Sequence, residues 1–469
     1  MEKISFNKIE EKAEIVFKCL LLVYTYLGYC CLTYANKIIS VIMWPTYILG
    51  VIIIIYRIVH WKEYKNIFNL LLAILFFSAC LSIIFNLEYF AKKNIIYLVL
   101  WSFYFFILFA NSRKTSVNQL KHEFNIIKII FIIATEILVV LSIIMLFKGY
   151  SINKYIGEYN LLGGFIDNRL YGAFTDPNAG AVIVILSSVL IISVIKKQNI
   201  KSKIFLILLL FLNLFYISLS DSRTGLVVIS VVVFTYFSLW LTDKLDVKKG
   251  KKIIVIALSI IITMGCCFLP KSVKYIYNTS VEAFAIQQKE TTHNNENAQD
   301  VSDKFVQENV VTRNYDLSSD VSNRRFSIWK SGLEIFITKP LVGTTWLGFI
   351  PYAKEYLPKT YIVNNDRKIM PTFENEIINV LVANGVLGLI PFLAFAIYAF
   401  IYVLKSFRFI NRFTETDFPL LFSTICGIAC GSMFRKMILY DMSPITIFFW
   451  FALGYLVIIS YQYYKGKKS

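Results

Sequence analysis

Charge is scarce in this chain. Only 17% of its 469 residues are charged, while 57% are hydrophobic. So few charges cannot clothe a water-soluble surface of that size, but they suffice where the surface faces lipid. Histidine is nearly lacking: His60, His122 and His293 are scattered along the chain and do not make a zinc site. The long polar stretch in the second half contains no cysteine, so no disulfide framework is visible. The cysteines fall in or beside apolar runs, and even the i,i+4 pair Cys426 and Cys430 reads as small packing residues rather than a metal site. Neither a Walker-type phosphate loop nor a Gly-rich dinucleotide fingerprint is present. No internal repeat is evident, and no A-x-A-like cleavage site follows the first apolar run, which reads as an uncleaved first helix.

What is present is a series of apolar runs at 15–35, 38–56, 67–87, 94–111, 126–147, 177–195, 203–220, 224–242, 253–270, 376–404, 418–434 and 442–464. Each has about the length needed to cross a hydrocarbon core of ~30 Å. With no water at that depth to satisfy the backbone, each is expected to be a helix. The fold class expected is therefore an all-α polytopic membrane protein with about twelve transmembrane helices and one large extracytoplasmic loop.

The chain has 48 Lys and Arg against 30 Asp and Glu, a net charge of +18. In a soluble protein this would suggest nucleic acid. Here no aromatic-basic platform supports that reading, and the positive charge sorts by loop instead. Alternate loops are rich in it: Arg57, Lys62 and Lys65; Arg113, Lys114 and Lys121; Lys196, Lys197, Lys201 and Lys203; Lys244, Lys248, Lys249, Lys251 and Lys252; Lys405, Arg408 and Arg412. The lysines near both termini belong to the same set. The opposite short loops hold only Lys37, Lys92 and Lys93, Arg223, and Arg435 with Lys436. The positive-inside rule then puts both termini in the cytoplasm.

The organisation expected is residues 1–147 for helices one to five, and 148–270 for helices six to nine. The second block begins with an outer segment, 148–176, whose Gly163, Gly164, Arg169 and Gly172 among apolar residues suggest a short re-entrant or interfacial element. Residues 271–375 form the large outer loop, polar and mobile in its middle and more apolar and aromatic later. Residues 376–469 carry the last three helices.

Four polar clusters map to the outer side. Arg169-Leu-Tyr-Gly-Ala-Phe-Thr-Asp176-Pro177-Asn178 opens a helix; Asp176 is a natural N-cap and Pro177 suits the first turn. That explains the helix start but not Arg169, and an Arg beside spare helix N–H groups makes a natural anion site. Ser220-Asp221-Ser222-Arg223-Thr224 forms a tight turn. Asn323-Arg324-Arg325-Phe-Ser-Ile-Trp329 opens an amphipathic segment that leads to Pro340-Leu-Val-Gly343. Phe373-Glu374-Asn375-Glu376 stands at the mouth of a span followed by Gly385-Val-Leu-Gly388. Each has a plain alternative: a helix start, a solvated turn, a basic helix end near headgroups, a solvated carboxylate. Together they set arginines and a carboxylate on one outer surface, suited to gripping phosphate oxygens and to taking a proton. Within the spans, essentially only Glu136 stands out as ionisable, a functional candidate or a neutral acid bonded to a neighbouring helix.

These clusters resemble the O-antigen ligase and O-antigen/capsular polysaccharide polymerase superfamily, often called Wzy-type. The matching residues are Arg169, Gly172, Phe174, Pro177 and Asn178; Ser222 and Arg223; Arg325, Trp329, Pro340, Leu341 and Gly343; and Asn375, Gly385 and Gly388. Their order and spacing agree over roughly residues 165–395, whereas the first five spans match only in being hydrophobic. Two departures stand out. Ligases of this family usually have His-Asn where this chain has Glu374-Asn375, which fits polymerases better. The loop Gly343-Thr-Thr-Trp-Leu-Gly348 also spaces its glycines more widely than is common.

The resemblance implies a metal-independent, cofactor-free, inverting glycosyltransferase of the bacterial cytoplasmic membrane. Its substrates would be undecaprenyl-diphosphate-linked oligosaccharide repeat units, joined on the outer face, with membrane lipids around it and a chain-length regulator and a flippase as companion proteins. Glu374 and Arg325 would be the catalytic residues. Arg169, Asp176, Asn178, Arg223, Arg324 and Asn375 would bind substrate, with Arg169, Arg223 and Arg325 on the diphosphate. Two rivals stand beside the polymerase. A ligase would move finished glycan to another acceptor. A non-enzymatic transporter or flippase would need charged residues along a membrane path.

Overall fold

The structure is a computed structural model that describes residues 2–34, 37–110, 116–156, 159–195, 198–245, 251–291, 306–307, 309–312, 324–365, 372–407 and 418–466. Most of the polar stretch 287–310, with His293, lies outside the described residues, as do Asn323 and the basic residues Arg113, Lys114, Lys196, Lys197, Lys248, Lys249, Arg408 and Arg412.

The chain is an all-α polytopic membrane protein. Each of the twelve apolar runs lies mainly on a helix. Among the described residues, ten helices are long and apolar enough to cross a membrane. The other two are Glu2–Tyr29, charged along its first half, and Phe418–Gly431, which has only 14 residues. The chain divides into two compact units. One comprises Met1–Tyr24, Ser40–Ile127 and Asp320–Ser469, and the other Thr25–Ile39 and Lys128–Ser319.

In the first unit the helix Pro444–Gly466 is apolar on every side and nearly all buried, as a helix surrounded by others must be. Before it, residues 432–443 run without regular structure yet are mostly buried. Such backbone is tolerable only if its polar groups find partners, and they do. The carbonyls of Met437, Ile438, Leu439 and Asp441 accept from Thr446 Oγ1, Trp450 Nε1, Trp101 Nε1 and Tyr104 Oη at 2.8, 2.7, 3.0 and 3.1 Å. A further charged set lies here, with Lys18, Arg57 and Glu123 buried and Glu14 half-buried. Lys18 pairs with Glu14 at 2.6 Å and with Glu123, and Arg57 pairs with Glu14 at 2.6 Å. The sequence alone gives no sign of this set. Two cations and two anions bond one another, so it locks three helices together.

The second unit holds the segment expected to be re-entrant or interfacial. It folds as a three-stranded antiparallel sheet of β1 Ile152–Ile156, β2 Tyr159–Ile166 and β3 Arg169–Gly172, in the order β1-β2-β3. A register shift at Gly164/Phe165 interrupts the β2–β3 ladder. Glu136 is buried, and its Oε1 accepts from Ser187 Oγ at 2.7 Å and Asn213 Nδ2 at 2.9 Å, so it ties neighbouring helices together. The helix expected to stop near residue 270 runs instead from Lys251 to Thr291, through Pro270, for 41 residues. At 1.5 Å per residue this is roughly 60 Å, twice the hydrocarbon thickness, so its second half projects beyond the bilayer.

Candidate active site

In the second unit the first two clusters meet at one side chain. Asp176 caps the helix Pro177–Ile195: its Oδ1 accepts from the N–H of Asn178 at 2.7 Å and of Ala179 at 3.0 Å. The approach to this cap is sewn down by the backbone. Thr175 donates its N–H to Tyr29, Ala173 accepts from Cys31, and Ala173 donates to Ser142 Oγ. The cap aims Asn178 at the turn 220–223. There Asn178 Oδ1 accepts from Arg169 Nη2 and from Ser222 Oγ, both at 3.1 Å. Arg169 Nε also donates to the Ser220 carbonyl at 2.9 Å.

Two edges of the Arg169 guanidinium are thereby fixed, and its Nη1 has no partner among the described residues. Ser222 in turn caps the helix Arg223–Lys244, accepting from Gly225 N–H at 3.0 Å. Arg223 is the first residue of that helix and is half-buried. Two capped helix N-termini, with the positive ends of their dipoles, thus stand beside two arginines, an arrangement suited to an anion with several oxygens.

In the first unit, Arg325 opens the helix Arg325–Thr338. Its Nη2 donates to the carbonyl of Phe434 at 3.2 Å, and its guanidinium lies 5.4 Å from the Phe434 ring centre. Arg324, with φ +62°, turns to Tyr361 and donates to its hydroxyl at 3.1 Å. Asn375 caps the helix Glu376–Ser406, accepting from Ile378 N–H, and donates through Nδ2 to the carbonyl of Met433 at 3.2 Å. Arg325 and Asn375 therefore hold successive residues of the irregular stretch 432–443. Glu374 is half-buried with φ +51°, and its N–H donates to Thr372 Oγ1 at 3.1 Å.

The sequence reading gave Glu376 no role, yet it organises this site. Its side chain is fully buried, and its carboxylate accepts backbone N–H bonds from Met437 at 3.0 Å and Leu439 at 2.8 Å, with a longer one from Ile438 at 3.5 Å. Its own N–H donates to Ser432 at 2.9 Å. The stretch so clamped carries Arg435 and Lys436, which the sequence had shown only as loop charges. Lys436 Nζ lies 5.4 Å from the centre of the Trp346 ring, and that ring stacks on Tyr440 at 4.3 Å. Burial, reinforced by the nearby Glu376, pushes the Tyr440 phenol well above its usual range. The only sequence sign of this arrangement is a second carboxylate two residues after Glu374.

The glycine motifs have a backbone explanation. Gly385 breaks the helix Glu376–Ser406 with φ +60° and ψ −161°. The groups so freed pair with the Pro340–Thr345 loop. Thr344 and Thr345 donate N–H bonds to Val382 and Ala383, while Val386 and Leu387 donate to Pro340 and Leu341. A Cβ on Gly343 would lie 2.5 Å from Ala383 C, and one on Gly348 would lie 2.0 Å from the Thr344 carbonyl oxygen. The wider glycine spacing thus still makes a tight loop.

Residues 205–393 match the model of the family described as O-antigen ligase, which supports a likeness to the O-antigen ligase and Wzy-type superfamily over that stretch. Members of this family are glycosyltransferase-like membrane enzymes that act on lipid-linked glycans. The matched stretch contains Ser222, Arg223, Arg325, Glu374, Asn375 and Gly385; Arg169, Asp176 and Asn178 precede it, and Arg435 follows it. A comparison with curated proteins finds no match.

Proposed function

We propose that the chain is a polysaccharide polymerase. It joins undecaprenyl-diphosphate-linked oligosaccharide repeat units on the outer face of a bacterial cytoplasmic membrane, for surface polysaccharide of the capsule or O-antigen type. The observation that carries this reading is the junction at Asn178. Motif residues far apart in sequence, Arg169 and Ser222, share its Oδ1 and set two arginines at two helix N-termini. Such a group suits a diphosphate that must be held and then stabilised as it leaves. Arg169 and Arg223 grip its oxygens and Arg325 adds positive charge.

Glu374 takes the proton from the attacking sugar hydroxyl as that oxygen bonds to the anomeric carbon. The bond from that carbon to the diphosphate breaks on the opposite side, so the configuration inverts and the leaving group departs with the electron pair. Asn375 and Arg324 hold neighbouring parts of the substrate. The Lys and Arg sidedness supports cytoplasmic termini, with a flippase supplying repeats and a chain-length regulator limiting the product. The ligase reading shares fold and donor; Glu374 at the position where ligases usually carry histidine favours the polymerase.

Reconstitution tests the proposal. The purified protein in liposomes would be given the lipid-linked repeat that accumulates in cells lacking the gene. A ladder of products one repeat apart is expected. Transfer of a single block to a different acceptor, or no transfer, would overturn it.

A further inference from the structure

Beside the Asn178 junction the second unit contains a cavity of about 360 Å³. That is within the usual range for small-molecule sites, roughly 300–1,000 Å³. One wall is the turn Asp221-Ser222 with Leu226. The other is the part of the long helix that passes Pro270, supplying Lys271, Lys274 and Tyr275. The two walls are tied by an ion pair from Lys274 Nζ to Asp221 Oδ2 at 3.0 Å. Ser222 belongs to both places: its hydroxyl donates to Asn178, and the residue is part of the cavity lining.

The lining chemistry differs from that of the arginine cluster. Asp221 would repel a phosphate, but an ion-paired carboxylate and ammonium together offer an acceptor and donors, as neighbouring sugar hydroxyls require. Leu226 and Pro270 supply an apolar floor for the C–H face of a pyranose, and Tyr275, at the wall, is 72% exposed. We propose that this cavity is a sugar subsite. It receives the glycan unit next to the diphosphate held by Arg169 and Arg223, and so rests on the reading given above. The extension of the helix beyond residue 270 serves to build its wall.

Two variants of the full-length protein in lipid nanodiscs test this. Asp221→Asn weakens the ion pair, while Leu226→Trp fills the cavity and leaves that pair intact; size-exclusion profiles and thermal stability show that each is folded. Binding would be measured for two probes: the lipid-linked repeat accumulating in cells lacking the gene, and undecaprenyl diphosphate without sugar. Wild type should prefer the sugar-bearing lipid by about tenfold or more. Both variants should lose that preference while binding the bare lipid within about twofold of wild type. Equal weakening of both probes would make the cavity a phosphate site, and unchanged binding of both would make it idle; either overturns the proposal. Wild type binding neither lipid would instead overturn the donor assignment on which it rests.

Discussion

The backbone N–H of Val386 donates to the carbonyl of Pro340 at 2.9 Å, across the gap that Gly385 opens in its helix. A helix broken within a membrane protein strands carbonyls and N–H groups that lipid cannot satisfy. The Pro340–Thr345 loop satisfies them from both sides of the break. The P-L-x-G and G-x-x-G motifs are therefore halves of one backbone junction.

Gly385→Ala should break that junction. Its Cβ would lie 2.2 Å from the Leu341 carbonyl oxygen, at a φ that L residues rarely adopt. The loss expected is about 3 kcal/mol or more, read as a large fall in melting temperature or as failure to accumulate in membranes. Gly265→Ala is the control: nothing lies within 4 Å of that Cβ, so stability should hold or rise slightly. Equal tolerance of both changes would contradict the junction.

Glu374 and Glu376 stand two residues apart and should fail differently. Glu376→Ala leaves buried backbone N–H groups of residues 437–439 without an acceptor, at a cost of about 1–3 kcal/mol for each unsatisfied group. Its melting temperature should fall sharply, with Glu376→Gln between it and wild type. Glu374→Gln should melt like wild type and bind donor, but not turn over. Full activity in Glu374→Gln would remove it as the base.

The Asn178 junction predicts a charge effect without a fold effect. Asn178→Asp keeps the oxygen that accepts from Arg169 and Ser222 but places a negative charge where the diphosphate should lie. Melting temperature should change little, while donor affinity should drop at least about tenfold, or ~1.4 kcal/mol. Arg169→Ala, Arg223→Ala and Arg325→Ala should each abolish polymer while still inserting in the membrane. Normal polymer from any one of them would remove that arginine from the site.

The Cys31 thiol is buried against Gly172, and that burial, with Cys30 beside it, pushes its pKa up to about 12. Only the thiolate reacts with maleimides, so at pH 8 roughly one part in ten thousand is reactive. Folded protein should stay unlabelled at Cys31, and its labelling should quicken about tenfold per pH unit toward pH 12. Because the folded value lies above that of an ordinary thiol, the stability from this group is complete below about pH 8.5 and is lost as pH rises toward the folded value. Fast labelling of Cys31 at pH 8, read by mass spectrometry of peptides, would contradict this packing of Cys31 beside β3.

The spanning helices were legible because uncharged runs of bilayer length admit little else. Asn178 and Ser222 stood out too, since they fall at recognisable helix starts, whereas Arg169 opens β3 and stood out only by its charge. The sheet at 152–172 was not, because its strands are short and the Gly164/Phe165 shift spoils the alternation of period two. Pro270 read as a helix end, yet the helix continues through it. The wiring of residues 432–443 was also hidden: its partners Trp101, Tyr104, Glu376, Thr446 and Trp450 have no spacing rule in common. Arg57 read as a loop charge, and Lys18 and Glu123 drew no notice, because only the fold shows that they pair.

The most direct test of the polymerase assignment is a glycan profile of cells with and without the gene. Surface polysaccharide would be resolved by electrophoresis and lipid-linked intermediates by mass spectrometry. The account predicts loss of long polymer together with accumulation of single lipid-linked repeats on the outer face. Long polymer still made but left on its lipid carrier would contradict it and identify a ligase, and repeats trapped on the cytoplasmic face would contradict it in favour of a transporter.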